Sequence, residues 1–305
     1  MTTRREPGVR GCQHGPVSES LDQLVRLLDL EAIEVNIFRG TQPEEELQRV
    51  FGGQVAGQAL MAAGRTVSAG RVHSLHAYFL RPGDPAVPIL YEVDRIRDGR
   101  SFSTRRVVAI QHGEAIFNMS ASFHVDENGP EHQIPMPEVP EPESLPTLTE
   151  RLKEWKDALS TWYDRPHPID QRYIGAISWA AGNPERDPRQ RLWLRADGEL
   201  PDDQLLHACV AAYASDLSLY DTIIRSHEIR WEETNFMGAS LDHCMWFHHP
   251  VRADEWLLYD TDSPIATGAR GLARGFFFDR SGRLVVSVAQ EGLVRLLGPT
   301  AGSPG

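Results

Sequence analysis

Lysine is almost missing from this 305-residue chain: Lys153 and Lys156 are its only lysines among 31 basic residues, set against 43 acidic ones. The formal charge of −12 comes with no basic block. A broad nucleic-acid or anionic-membrane surface needs clustered cations and is excluded, although local arginines can still meet a small anionic ligand. Cysteine is as scarce. Cys12, Cys209 and Cys244 are too few and too scattered for a disulfide framework or a zinc site, which points to a reducing cytoplasm. Long apolar runs are lacking too: the longest, Leu205 to Ala214, is about ten residues and holds a histidine, whereas a membrane span needs roughly 18. The basic start has no apolar run behind it, so no secretory signal is expected.

The motifs of nucleophilic and nucleotide chemistry are also missing. There is no Gly-x-Ser-x-Gly, Cys-x-x-Cys, His-Glu-x-x-His or Gly-x-Gly-x-x-Gly. After Gly52 and Gly57, Gln58-Ala59 stands where a phosphate loop requires Lys-Ser/Thr. What is present is an ordinary folded composition, 41% apolar and 24% charged, at a length that suits two domains or one unit of two similar halves.

Residues 1–20 and 298–305 are polar and Gly/Pro-containing and read as mobile ends. Residues 128–148 hold six prolines among glutamates, from Pro130 to Pro146, and read as an extended, semi-rigid connector. On either side the same order appears. In residues 21–127 a strand near 33–38 and a helix over about 51–67 precede strands near 73–80, 89–97, 102–111 and 115–123. In residues 149–297 a helical stretch near 149–162 and strands near 170–174 and 191–194 come first. A helix over about 202–219 follows, then strands near 240–248, 255–262, 268–278 and 284–296. The halves align locally: Tyr78-Phe79-Leu80-Arg81-Pro82 with Trp246-Phe247-His248-His249-Pro250 at an offset of 168, and Gly113 to Met119 with Gly282 to Val288 at 169. Four strands after a long helix, with no helix between them, imply an antiparallel sheet covering that helix, twice over: an α+β duplication.

Two polar residues stand at apolar positions. On a helical wheel Asp216 falls beside Cys209, at the edge of the stripe Leu206, Cys209, Val210, Tyr213 and Leu217. It is either an edge carboxylate that still reaches water, a cap for the following loop, or a buried group with a raised pKa. Gln290 shares a strand face with Leu284, Val286 and Val288 and aligns with Ala121 of the first half. A core amide bonded to backbone explains it as well as a functional one does. His243, His248 and His249 have no compatible ligand set around them, and with His73 and His76 they read as structural or surface histidines.

The blocks Arg49-Val-Phe-Gly-Gly-Gln-Val-Ala-Gly-Gln-Ala-Leu60, Val72 to Asp84, Arg97 to Arg106, Tyr213-Ala-Ser-Asp-Leu217, Leu241-Asp-His-Cys-Met-Trp-Phe-His248, Ala269 to Gly275 and Ala289-Gln-Glu-Gly292 resemble the type II acyl-CoA thioesterase family. The resemblance runs from about residue 21 to 296. It implies a double hotdog, two tandem antiparallel sheets each wrapped around a long helix, with an Asp–Thr–Gln site in the second unit. The aspartate falls on Asp216, the glutamine on Gln290, and the threonine position on Ser240, a serine that keeps the hydroxyl but loses the stiffening β-branch.

The reaction that the resemblance implies is direct hydrolysis of an acyl-CoA thioester by water, with Asp216 as general base and Ser240 and Gln290 holding the water. Backbone N–H groups at Gly52 and Gly53 would be additional donors, and Arg100, Arg105, Arg106, Arg270 and Arg274 would meet the nucleotide phosphates. No cofactor or metal is called for, and a homo-oligomer is expected by the same resemblance. A non-catalytic acyl-CoA binding or sensing protein is the competing reading, which the joint presence of Asp216 and Gln290 disfavours.

Overall fold

Leu21, Leu24 and Leu28 recur at helical spacing, and all three are buried on α1 (Glu19–Leu28). The Ser18 hydroxyl caps this helix by accepting the Leu21 N–H. Residues 18–20 therefore form a helix start rather than part of a mobile arm. The computed structural model describes residues 18–43, 49–159, 163, 167–177, 186–227, 229 and 236–297; the remainder of the expected arm and the tail 298–305 lie outside them. The strand expected near 33–38 is two strands, β1 (Glu31–Glu34) and β2 (Ile37–Gly40). They fold back on each other at Asn36, which takes a φ of 66°, a conformation asparagine tolerates.

The first half continues with α2 (Gly52–Gly64), β3 (Arg71–Phe79), β4 (Ile89–Asp98), β5 (Phe102–Gln111) and β6 (Glu114–His124). Every residue of α2 from Gly53 to Ala63 is buried, as expected of a helix enclosed by sheet and neighbouring helices rather than lying on a surface. Its two glutamines are satisfied inside. Gln58 donates to the Leu27 carbonyl at 2.7 Å and accepts from the Tyr91 hydroxyl at 2.7 Å, while Gln54 donates to Gln42 at 3.0 Å.

The second half holds β7 (Ile169–Ile174), β8 (Arg189–Ala196), α3 (Gln204–Ser215), α4 (Leu219–Arg225), β9 (Phe236–Ser240), β10 (Asp242–Phe247), β11 (Leu257–Thr267), β12 (Arg270–Asp279) and β13 (Leu284–Leu296). Two expectations change here. The stretch 149–162 is helical through Leu159 within the described residues but is not one α-helix: α turns at Leu148–Arg151 and Lys156–Leu159 are joined by a 3-10 turn at Lys153–Trp155. The long helix over 202–219 is broken between α3 and α4. Ser215, Asp216 and Ser218 sit at the break, and the Ser215 hydroxyl bonds back to the Ala212 carbonyl at 2.9 Å; such side chains compete with helical backbone bonding. Asp216 is thus a helix C-cap, not an interior residue.

All strand pairs are antiparallel, in the order β1-β2-β4-β5-β6-β3-β10-β13-β12-β11-β8-β7, with β9 added on β13. The halves join across β3 and β10, where His76 lies opposite Cys244. The architecture is an α+β double hotdog, with its second helix divided. The connector is pinned rather than merely solvated. Trp193 donates to the Pro140 carbonyl at 2.9 Å, Gln133 donates to the Gly282 carbonyl at 2.8 Å, and Arg280 pairs with Glu141 and Glu143. Beneath it, Met136, Val139 and Leu145 pack on a separate apolar cluster of Trp193, Trp256, Leu258 and Phe278.

Helices α2 and α3 approach closely because glycine lies between them. A Cβ at Gly57 would stand 3.1 Å from the Cys209 carbonyl oxygen and 3.0 Å from Leu28 Cδ2. Gly57→Val is expected to cost about 3 kcal/mol by forcing the helices apart, read as a lower urea midpoint. An unchanged midpoint would show that the contact can relax.

Candidate active site

The break after α3 aims the Asp216 carboxyl at the start of α2, a helix of the other half. Phe51 precedes α2 without a side-chain cap, and the Gly53 N–H donates to the Asp216 carboxylate instead. The approach is tight enough to require glycine: a Cβ at Gly52 would lie 2.7 Å from Asp216 Oδ2. From the opposite side comes Gln290 of β13, whose Nε2 donates to Asp216 Oδ1 at 3.0 Å and to Ser240 Oγ at 2.6 Å. Ser240 is the last residue of β9, and Leu241 separates it from β10. The three residues expected to act together are therefore in one hydrogen-bonded cluster.

Asp216 and Ser240 face a cavity of about 920 Å³, whose wall includes apolar Phe51, Val55, Phe79, Ile116, Phe117 and Leu217. Gln290 is fully buried behind them and is not part of that wall. Protein surrounds the Asp216 carboxyl on all sides but the cavity. This burial raises its pKa from the ordinary 3.8 to about 6, against the opposing pull of the Gln290 and Gly53 hydrogen bonds and of the nearby Arg49 charge. A carboxylate at that value is ionised at neutral pH, yet basic enough to accept a proton from water.

The glycines and arginines fall differently from expectation. Gly52 lines the cavity, but the Gly53 N–H is already engaged by Asp216 and serves the carboxylate rather than an incoming oxyanion. None of the five arginines reaches the cavity. Arg105 is 1% exposed and bonds Thr66, Asp98 and the Arg97 and Thr104 carbonyls. Arg106 pairs with Asp94, Arg270 with Glu291 at 2.9 Å and Arg274 with Asp262 at 2.6 Å. Arg100 is exposed in the β4–β5 turn. The arginines that do line the cavity are Arg49 and Arg81. Their position was not legible in sequence, because ion-pair partners on adjacent strands are invisible there. Among the described residues no cluster of His, Cys, Asp or Glu could hold a metal ion, no helix is long and apolar enough to cross a membrane, and Cys209 and Cys244 are free thiols.

Comparison with known proteins agrees with this architecture. Residues 42–124 match the family described as acyl-CoA thioesterase N-terminal domain, and residues 181–293 match the acyl-CoA thioesterase family. The chain is 43% identical to acyl-coenzyme A thioesterase 8 of Mus musculus, over 88% of each protein. It is similar to the crystal structure of an acyl-CoA thioesterase II from Mycobacterium marinum, with a TM-score of 0.75 and 44% identity over 92% of this chain and 100% of that one. A hot dog fold protein from Alicyclobacillus acidocaldarius, at 19% identity and a TM-score of 0.72, covers 92% of this chain and 99% of its own and shares the fold.

Proposed function

Because the chain belongs to the acyl-CoA thioesterase family, we propose that it cleaves acyl-CoA by direct attack of water, with Asp216 as the general base. The observation that carries this is a single one: a carboxylate and a hydroxyl, bridged by one amide, face an apolar cavity. Asp216 takes a proton from a water held between it and Ser240 as that water adds to the thioester carbonyl. The C–S bond then breaks, giving the free acid and the thiol of coenzyme A. A thiol of pKa about 8.5 leaves readily as thiolate, so no strong general acid is required. Gln290 acts from behind, holding Asp216 and Ser240 in register, which differs from direct contact with the water.

The oxyanion develops against the start of α2, whose positive dipole end lies at Gly52 on the cavity wall. The apolar walls suit an acyl chain, and Arg49 and Arg81 suit the phosphates of the coenzyme. A cytoplasmic location fits the free thiols.

The test is release of free thiol from acyl-CoAs of graded chain length, followed across pH. The base must be ionised to work, so kcat/KM is expected to fall as pH drops through about 6 and to be level above it. Binding of acyl-CoA with no thiol released at any length would instead establish a binding protein. A flat profile from pH 5 to 8 would remove Asp216 as the base.

A further inference from the structure

One matched pair of positions differs in kind between the two halves. In the first, Leu75 of β3 lies opposite Ala121 of β6, and both are buried. The repeat offsets of 168 and 169 carry them onto His243 of β10 and Gln290 of β13. The β10–β13 register, with Cys244 opposite Ala289, continues to His243 opposite Gln290. Both of these residues are 0% exposed. A core that closes with leucine and alanine in one half has no packing need for histidine and glutamine in the other, and buried polar groups cost stability unless bonded.

Their bonding accounts for them. Gln290 Nε2 spends its two hydrogens on Asp216 and Ser240. Gln290 Oε1 and His243 Nδ1 are left over, both buried and without a hydrogen-bond partner among the described residues, and the Gln290 side chain is close enough to bear on the titration of His243. At the far edge of the ring, His243 Nε2 lies 2.9 Å from Ser215 Oγ. Gln290 Oε1 can only accept, so an Nδ1–H facing it gives both leftover atoms a partner, and bare Nε2 then takes the Ser215 hydroxyl in place of the Ala212 carbonyl.

We propose that His243 is a positioning residue, in which Nδ1–H donates to Gln290 Oε1 while bare Nε2 accepts the Ser215 hydroxyl. This fixes the amide with its donor side toward Asp216 and Ser240. The other tautomer sets a bare Nδ1 against Oε1, two acceptors face to face, relieved only by turning the amide over. Turned over, the amide presents oxygen to the Asp216 carboxylate and withdraws the donor that favours its ionised form. Burial keeps the ring neutral by holding its pKa down at about 4, so the tautomer, not the charge, is what varies near neutral pH. The other groups that set the titration of Asp216 are Arg49 ahead of α2 and the Gly53 N–H, and Tyr259 of β11 faces it as a neutral phenol whose own pKa is pushed up by burial and by the Asp216 charge. Changes at His243 leave all three in place.

The proposal rests on Asp216 being the base, and its test separates the two. In the wild-type protein labelled with 15N-histidine, the signal lost in His243→Asn identifies His243. It is expected to be the neutral Nδ1–H form throughout pH 6 to 8; an Nε2–H form overturns the proposal and leaves the hydrolysis mechanism untouched. In kinetics, His243→Leu, the residue the first half carries, is expected to lower kcat about 10- to 100-fold with KM nearly unchanged. The acid limb of kcat/KM should move upward by about half a pH unit or more, since a donor to the base is lost. His243→Asn, whose amide N–H can replace Nδ1–H, should recover to within about threefold of wild type with the limb restored. A folded His243→Leu with the wild-type rate and limb, or a His243→Asn as poor as His243→Leu, overturns it. Where His243→Leu does not fold, the tautomer measurement decides.

Discussion

Asp216→Asn is expected to lower kcat by about 10³-fold, within the 10²- to 10⁴-fold range of a lost general base, and at the same time to make the protein more stable. The two effects have one origin. Burial lifts the Asp216 pKa from 3.8 to about 6, so the folded chain holds this proton more tightly than the unfolded one. Below about pH 4 the group is neutral in both states and there is no penalty. As pH rises through about 6 the folded state must carry a buried charge, and stability is lost. At pH 7 the shift corresponds to at most about 3 kcal/mol, at 1.36 kcal/mol per pKa unit, and contact with the cavity lowers that figure. Asparagine is similar in shape and never ionises, and its single amide oxygen keeps one of the two donors, Gln290 or Gly53, while its NH2 faces the other and gives back part of the gain. Thermal melts at pH 7 should therefore rise by a few degrees while thiol release collapses. A variant with the wild-type rate ends the proposal that Asp216 is the base; a variant that loses activity and melts lower means the carboxylate is held mainly for structure.

Gln290→Ala should cost kcat about 10²- to 10³-fold, comparable to the loss of one preorganised donor. Alanine is what the first half carries at Ala121, with its neighbours closed around it, so the backbone accommodates it. Two hydrogen bonds are lost together, to Asp216 at 3.0 Å and to Ser240 at 2.6 Å. The bond to Asp216 opposes the effect of burial, so its removal moves the acid limb of kcat/KM above pH 6. Steady-state kinetics from pH 5 to 9 checks both parts. An unmoved limb together with a small rate loss would mean that the amide does not set the carboxylate.

Much of the site was legible because the chain repeats itself. Gln290 stood out against Ala121 by alignment alone, and the same comparison held an unread signal in His243 against Leu75. Asp216 stood out for its place beside an apolar stripe, although periodicity ran the helix straight through the break at residues 215–218. A helical wheel has no means of seeing that Ser215 bonds backward to Ala212. Ser240 came only from family resemblance, since a serine at a strand end has no pattern of its own. The Gly53 contact and the arginine pairings were out of reach for a different reason. They depend on how α2 meets α3 and on which strands lie side by side. Helix α1, by contrast, was within reach, for its leucines at 21, 24 and 28 carry the spacing in plain view.

The seam between β3 and β10 has a consequence for how such a site can change over time. Two identical chains paired there would write every substitution twice, so a buried His–Gln pair and a desolvated carboxylate would burden both halves. One continuous chain breaks that symmetry. Leu75 and Ala121 can then serve cohesion while His243 and Gln290 serve reactivity, and the destabilisation of a reactive centre is borne once per chain. The reactive centre nonetheless still spans both halves, because Asp216 caps α2. The first half is therefore held at the glycines that receive its neighbour's carboxylate and at the side chains it lends to the cavity wall, and is freer to drift elsewhere.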